Sequence, residues 1–101
     1  MIGIVKRGQK DFLEATFGTG DIRIMTAGES EDNYLSMVIL SQHYTKPESE
    51  WNASPCSIKN TDELKAEETI FLKFNKVKSI DMLIESLQEV RESMLSNKKG
   101  E

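Results

Sequence analysis

The stretch from Ser79 to Asn97, SIDMLIESLQEVRESMLSN, constrains the fold more than any other part of the chain. Ile80, Leu83, Ile84, Leu87, Val90 and Met94 recur at the three- and four-residue spacing of one helical face. The spacing predicts a helix over 79–97. Ser79 is placed to cap it, because a serine hydroxyl accepts from an unpaired backbone N–H of the first turn. Asp81 and Glu85 lie near the predicted start and Lys98 and Lys99 follow the predicted end, as the helix macrodipole favours. A helix with one apolar face needs a cover for it, so the rest of the chain is read for what supplies that cover.

Five segments alternate or carry apolar runs at strand spacing. Ile2 to Lys6 reads as a first strand, followed by the polar turn Arg7-Gly8-Gln9-Lys10. Asp11 to Phe17 fits a strand with Leu13, Ala15 and Phe17 on one face. It also fits a short helix with Asp11 as cap, Glu14 completing a capping box and Gly18 as stop. One and a half helical turns are marginal in water, so the strand is preferred, with Ile22 to Thr26 as its hairpin partner. Gly18-Thr19-Gly20-Asp21 between them is turn chemistry. In the next strand Ile22 and Ile24 point inward and Arg23 outward. Tyr34 to Gln42 is the strongest strand: Leu35, Met37 and Ile39 line one face, Val38 and Leu40 the other, which predicts a central strand or one whose sheet is covered on both faces. Thr69 to Asn75 closes the sheet, with Ile70, Leu72 and Phe74 on one side and Phe71 on the other. His43 to Glu68 carries both prolines and reads as one long loop with a weak helical turn near 61–65. Loops of this length in compact domains are commonly functional.

The fold class expected is α+β: an antiparallel sheet of four to five strands, largely a meander, packed by one C-terminal amphipathic helix. The whole of residues 1–101 forms a single domain with a long loop at about 43–68. Burying the six stripe residues on the sheet would contribute roughly 9–18 kcal/mol before ordering entropy is subtracted. Val38, Leu40 and Phe71 are then left on the opposite face. The long loop covers them, or a second copy of the chain does. At 38% hydrophobic residues and a mean hydropathy of −0.46 the core is thin, which favours self-association.

Charge and cysteine content exclude several function classes. The net charge is −4. Residues 28–68 carry nine acidic against three basic groups, while the flanking parts are each slightly basic. Direct nucleic-acid binding, which needs a basic stripe, is not expected. A single cysteine, Cys56, rules out an intramolecular disulfide and a cysteine-based zinc site. The apolar run Met37 to Leu40 is too short to span a bilayer, and the polar N-terminus lacks a signal peptide's apolar region. A cytoplasmic protein without membrane contact is expected.

Two clusters are candidate ligand sites. Lys73, Lys76, Lys78 and Ser79 surround the predicted helix start, where free N–H groups and partial positive charge suit a phosphate or carboxylate. No glycine-rich cradle accompanies them, and lysines at a strand end and turn also serve solubility. Tyr44 and Trp51 in the long loop, with His43, Asn52 and Cys56, offer flat surfaces for stacking or for anchoring a partner. Trp51 folded back over an open sheet face is the structural alternative. His43 and Cys56 lack the third, orienting group of a catalytic set. Together with Glu48, Glu50 or Asp62 they match no metal-site spacing. Glu29, Glu31 and Asp32 lack the spacing of a calcium loop and read as a solvated turn. No metal, cofactor or catalytic residue is expected, and enzyme activity is not.

The residues from Thr69 to Val90, TIFLKFNKVKSIDMLIESLQEV, carry a resemblance. An I-x-L-x-F strand leads through a short basic turn into an S-[IL]-D-x-L-I-x-x-L helix, and this resembles the C-terminal end of many small uncharacterised proteins of bacteriophages and other mobile elements. The resemblance covers about a fifth of the chain, carries over no functional residues and implies a small accessory protein of a bacterial cytoplasm; many short phage-encoded proteins work by binding alone. The reading favoured by the sequence is therefore a non-enzymatic homo-oligomer that sequesters a small anionic, nucleotide-like ligand through Lys73, Lys76, Lys78, Ser79, Tyr44 and Trp51. The alternative is an acidic inhibitor or adaptor of a host protein, nucleic-acid mimicry included, acting through Glu29 to Asp32 and Glu48 to Glu50. A purely structural subunit, whose long loop orders on assembly, is a third reading.

Overall fold

A computed structural model describes residues 1–28, 34–51, 53–55 and 64–99. In chain order the elements are β1 (Ile2–Arg7), β2 (Lys10–Ala15), β3 (Ile22–Ala27), β4 (Met37–Gln42), β5 (Ala53–Pro55), β6 (Thr69–Lys73) and α1 (Val77–Lys99). The class is α+β as expected, but the strands form two sheets. β1 and β2 make an antiparallel hairpin of their own. β3, β4 and β6 make an antiparallel sheet, and the three-residue β5 adds to its edge, parallel to β3.

The separate hairpin has a local cause. Arg7 pairs with Lys10, which leaves only Gly8 and Gln9 in the loop. Gly8 has φ +65° and Gln9 is not at positive φ, the signature of a type II′ turn, whose twist matches that of paired strands. The Asp11–Phe17 region is thus a strand, but its partner is β1 and not β3. Between β2 and β3 the chain takes an open turn in which Gly18 and Gly20 both have positive φ.

Polar groups join the two sheets. The Gln42 side chain, at the end of β4, accepts from the Ile2 N–H at 2.6 Å and donates to the Asp21 carboxylate at 2.8 Å. The Met1 ammonium bonds both Asp21, at 2.8 Å, and the Thr16 carbonyl. Ile2 is buried beside this junction.

β4 is interior, flanked by β3 and β6, and is buried on both faces through Ile39 and Leu40. Met25 on β3 lies opposite Ile39 and is fully buried. The register puts Phe71 opposite Ile39, so Phe71 shares the face of Met25 and Ile39 and not that of Val38 and Leu40. Alternation within β6 assigned Phe71 to the face opposite Ile70 and Leu72, but strand pairing decides which face that is.

The helix departs furthest from expectation. Every residue from 75 to 97 is exposed, and among the described residues no strand packs along the helix. An amphipathic period says that a face needs covering; it does not say that the cover lies in the same chain. The helix also begins at Val77, two residues early. The Ser79 N–H is bonded to the Lys76 carbonyl at 3.1 Å, which places Ser79 inside the first turn and not at the cap. The long segment expected as loop holds 3-10 turns at Glu48–Glu50 and Ala66–Glu68 beside β5. Among the described residues no helix is long and apolar enough to cross a membrane.

Candidate binding cleft

A cleft of about 620 Å³ lies where the chain leaves β4 and passes the start of β3. Ile22, Ile24 and Phe17 give its lining an apolar part. Beyond the last paired residues of the sheet, the His43 N–H donates to the Asp21 carbonyl at 2.8 Å and the Lys46 N–H to the Gly20 carbonyl at 3.0 Å. These bonds keep residues 43–46 alongside the glycine turn. Pro47 then fixes an extended conformation, with φ −66°, and the 3-10 turn Glu48–Glu50 reverses the chain.

Trp51 returns onto that turn. Its indole N–H donates to the Lys46 carbonyl at 2.9 Å. The ring sits so close above Gly20 that a β-carbon there would collide with the indole and with the Lys46 carbonyl. Gly20 has φ +78°, so glycine is required both by the backbone and by the approach of Trp51. Tyr44 forms a second aromatic wall. Its ring makes an edge contact with His43, at 5.2 Å between centroids and 83° between planes. The Lys46 ammonium lies 5.6 Å from the Tyr44 centroid, within cation–π range.

Arg23, Lys46 and His43 bring positive charge or its capacity to the lining; Asp21 and Glu50 bring carboxylates. Asp21 is satisfied internally. The Met1 ammonium, the Thr19 hydroxyl and the Gln42 amide hold its carboxyl far below the usual carboxylate range. Its charge is balanced by the Met1 ammonium, so Arg23 and Lys46 against Glu50 leave the cleft with an excess of one positive charge. Burial pushes the His43 imidazole below its ordinary pKa, and the charges of Lys46 and Arg23 push it the same way. Both effects favour the neutral imidazole over the imidazolium.

Of the six ligand-binding candidates read from the sequence, Tyr44 and Trp51 line this cleft. Lys73, Lys76, Lys78 and Ser79 do not. Lys73 donates from β6 to the buried Ser36 hydroxyl at 3.1 Å, while Lys76 and Lys78 are exposed around the start of α1. Sequence reasoning missed Arg23, which strand alternation assigned to the outside, and Lys46, one charge in a polar loop. The signal for both was the Gly18-Thr19-Gly20 turn, whose second glycine marks a close approach. Glu29, Glu31, Asp32, Asn52, Cys56 and Asp62 lie outside the described residues. Among the described residues no three His, Cys, Asp or Glu side chains gather as a metal site would require.

Comparison with protein-family models, with curated proteins and with solved structures gives no match. The cleft itself is the basis for a functional reading.

Proposed function

We propose that this chain is a non-catalytic binding protein that takes a small anionic, nucleotide-like ligand in the cleft and acts by sequestering it. One observation carries this reading: the rings of Tyr44 and Trp51 and the cations Arg23 and Lys46 line the same cleft. Flat rings suit a flat heterocycle, whose stacking on an aromatic side chain contributes roughly 1–3 kcal/mol per base. Guanidinium and ammonium groups suit phosphate oxygens. The cleft volume of about 620 Å³ lies within the range of small-molecule sites. Glu50 supplies an acceptor for the amino or hydroxyl donors of such a ligand. This reading moves the cationic half of the site from the helix entrance to Arg23 and Lys46.

Titration calorimetry with a panel of mononucleotides and cyclic dinucleotides, followed by Trp51 fluorescence, tests it. A nucleotide is expected to bind and to quench the single tryptophan. Arg23→Ala with Lys46→Ala is expected to weaken binding by about tenfold or more, since each cation supplies a charge-assisted hydrogen bond to phosphate. Lys76→Ala with Lys78→Ala is expected to leave it unchanged. If no nucleotide binds, or if only the second pair of substitutions matters, the reading is wrong.

A further inference from the structure

The α1 helix runs for 23 residues, roughly 34 Å at 1.5 Å per residue, and among the described residues no strand packs along it. Its apolar residues stand open, from 36% exposed at Ile80 to 73% at Val77. Helices that pack on nothing are marginal in water, and Ser, Val and Ile within this one are not strong helix formers. The stripe therefore needs a cover.

The pattern of the stripe identifies that cover. Ile80, Leu83, Leu87, Val90 and Met94 are spaced three, four, three and four apart, the a and d positions of a heptad. This 3.5-residue repeat makes a narrow seam that fits another helix with the same repeat. No charged residue occupies a or d. The flanking positions on one side are Ser79, Ser86 and Ser93, small and uncharged, and on the other Val77, Ile84 and Arg91. Two copies laid side by side thus meet without a like-charge contact along the seam. The seven apolar residues at or beside the seam, Val77, Ile80, Leu83, Ile84, Leu87, Val90 and Met94, expose roughly 600 Å² per helix, close to the ~800 Å² per partner of a standard stable interface.

We infer that α1 pairs with α1 of a second copy of this chain, in a parallel, in-register coiled coil. Parallel pairing matches Ile80, Leu83, Leu87, Val90 and Met94 each with itself and gives five apolar layers. Antiparallel pairing in the register that aligns Leu87 with Val90 sets Ile80 against Asn97 at both ends and gives four. The inference stands apart from the ligand proposed for the cleft, whose residues lie outside the helix.

Sedimentation and light scattering on the full chain test it. The expected result is a particle of twice the 11.5 kDa chain mass that dissociates on dilution. Leu87→Glu replaces a side chain that is exposed in the single chain, so the sheets keep their fold. This change is expected to raise the dimer dissociation constant by at least about tenfold and to reduce the helical circular-dichroism signal, since a buried charge at a breaks the seam. Gln88→Glu, off the seam, is expected to change neither. In a Cys56→Ser background, Val90→Cys is expected to give a covalent dimer on oxidation with glutathione disulfide, because parallel pairing apposes position 90 with itself. A monomer at all concentrations, a Leu87→Glu variant that stays dimeric, or a dimer that position 90 does not cross-link overturns the inference. So does a monomer whose helix forms only on vesicles of phosphatidylcholine and phosphatidylglycerol.

Discussion

The carboxamide of Gln42 bonds Asp21 through its nitrogen, at 2.8 Å, and takes the Ile2 N–H on its oxygen, at 2.6 Å. The two bonds fix the orientation of the amide, since a flipped group would set oxygen against carboxylate. They also tie the β1–β2 hairpin to the larger sheet. Gln42→Ala removes the acceptor of a backbone N–H on the buried residue Ile2. An unsatisfied group of this kind costs about 1–3 kcal/mol, and each kcal/mol lowers the Tm of a domain this size by roughly 4–8 °C. Thermal unfolding by circular dichroism measures the total. Hydrogen exchange is expected to show the loss concentrated in β1 and β2, with β3, β4 and β6 still protected; uniform acceleration would mean that Gln42 is not a junction.

Asp21 makes the same junction sensitive to acid. Its folded pKa lies below the unfolded value of about 4 because the Met1 ammonium, the Thr19 hydroxyl and the Gln42 amide bond its ionised form. A depressed carboxyl stabilises the fold fully above the unfolded pKa and loses that contribution as pH falls through the folded one. Asp21→Asn is therefore expected to lower Tm at neutral pH, with the gap to wild type narrowing as pH drops below about 4. A gap that stays constant down to the acid limit would show that the Asp21 charge is not what stabilises the fold.

Gly20 is predicted to be irreplaceable for the cleft. An L-residue at φ +78° carries a left-handed strain of roughly 1–2 kcal/mol. Its β-carbon also meets the Trp51 indole and the Lys46 carbonyl. Gly20→Ala is expected to dislodge Trp51, shift its emission to the red and abolish binding at the cleft. Gly8→Ala supplies the comparison: φ is +65°, yet nothing lies within 4 Å of the added carbon. That variant is expected to lose stability through strain alone and to keep wild-type tryptophan emission.

The readable parts of this fold are those that local pattern encodes. Gly8 announces the turn after β1 and Met37 to Leu40 the doubly buried β4; the alternation of β3 is legible but its buried face is not, since Met25 is fully buried while Ile22 and Ile24, read as inward, are half-buried. The repeat from Ile80 to Met94 announces the helix. Which segments pair was not readable. That β2 turns back on β1 depends on a two-residue loop, and the docking of the hairpin depends on Gln42 meeting Asp21. Neither leaves a period in the sequence. The cleft was half legible for the same reason. Tyr44 and Trp51 stand out as aromatics in a polar segment, but Arg23 and Lys46 reach them only through the backbone bonds of His43 and Lys46 to residues 20 and 21.

The core separates two residues that share one face. Met25 is fully buried opposite Ile39, and Phe71 on the other side of Ile39 remains 48% exposed. Met25→Ala is expected to cost about 2–5 kcal/mol, the usual range for truncating a buried methionine. Phe71→Ala is expected to cost about 1 kcal/mol, in proportion to its half burial. Urea unfolding of both variants checks the order; equal destabilisation would mean that Phe71 is covered in solution.

His43 links pH to binding with a sign opposite to its effect on stability. Burial and the charges of Lys46 and Arg23 lower its folded pKa below the unfolded value of about 6.5. The unfolded chain then takes up the proton more readily, so the histidine's contribution to stability is complete above about pH 6.5 and falls as pH drops through that range. An anion in the cleft reverses the balance, because a negative charge beside the ring favours the imidazolium. Ligand binding is therefore expected to take up a proton, and affinity to rise between about pH 8 and about pH 6. A phosphodiester ligand isolates the effect, since its phosphate does not titrate there. Calorimetry in buffers of different ionisation enthalpy counts the protons taken up, and His43→Asn is expected to flatten the profile. An affinity that falls on acidification would place the bound charge away from His43, and with it away from Tyr44, whose ring His43 touches.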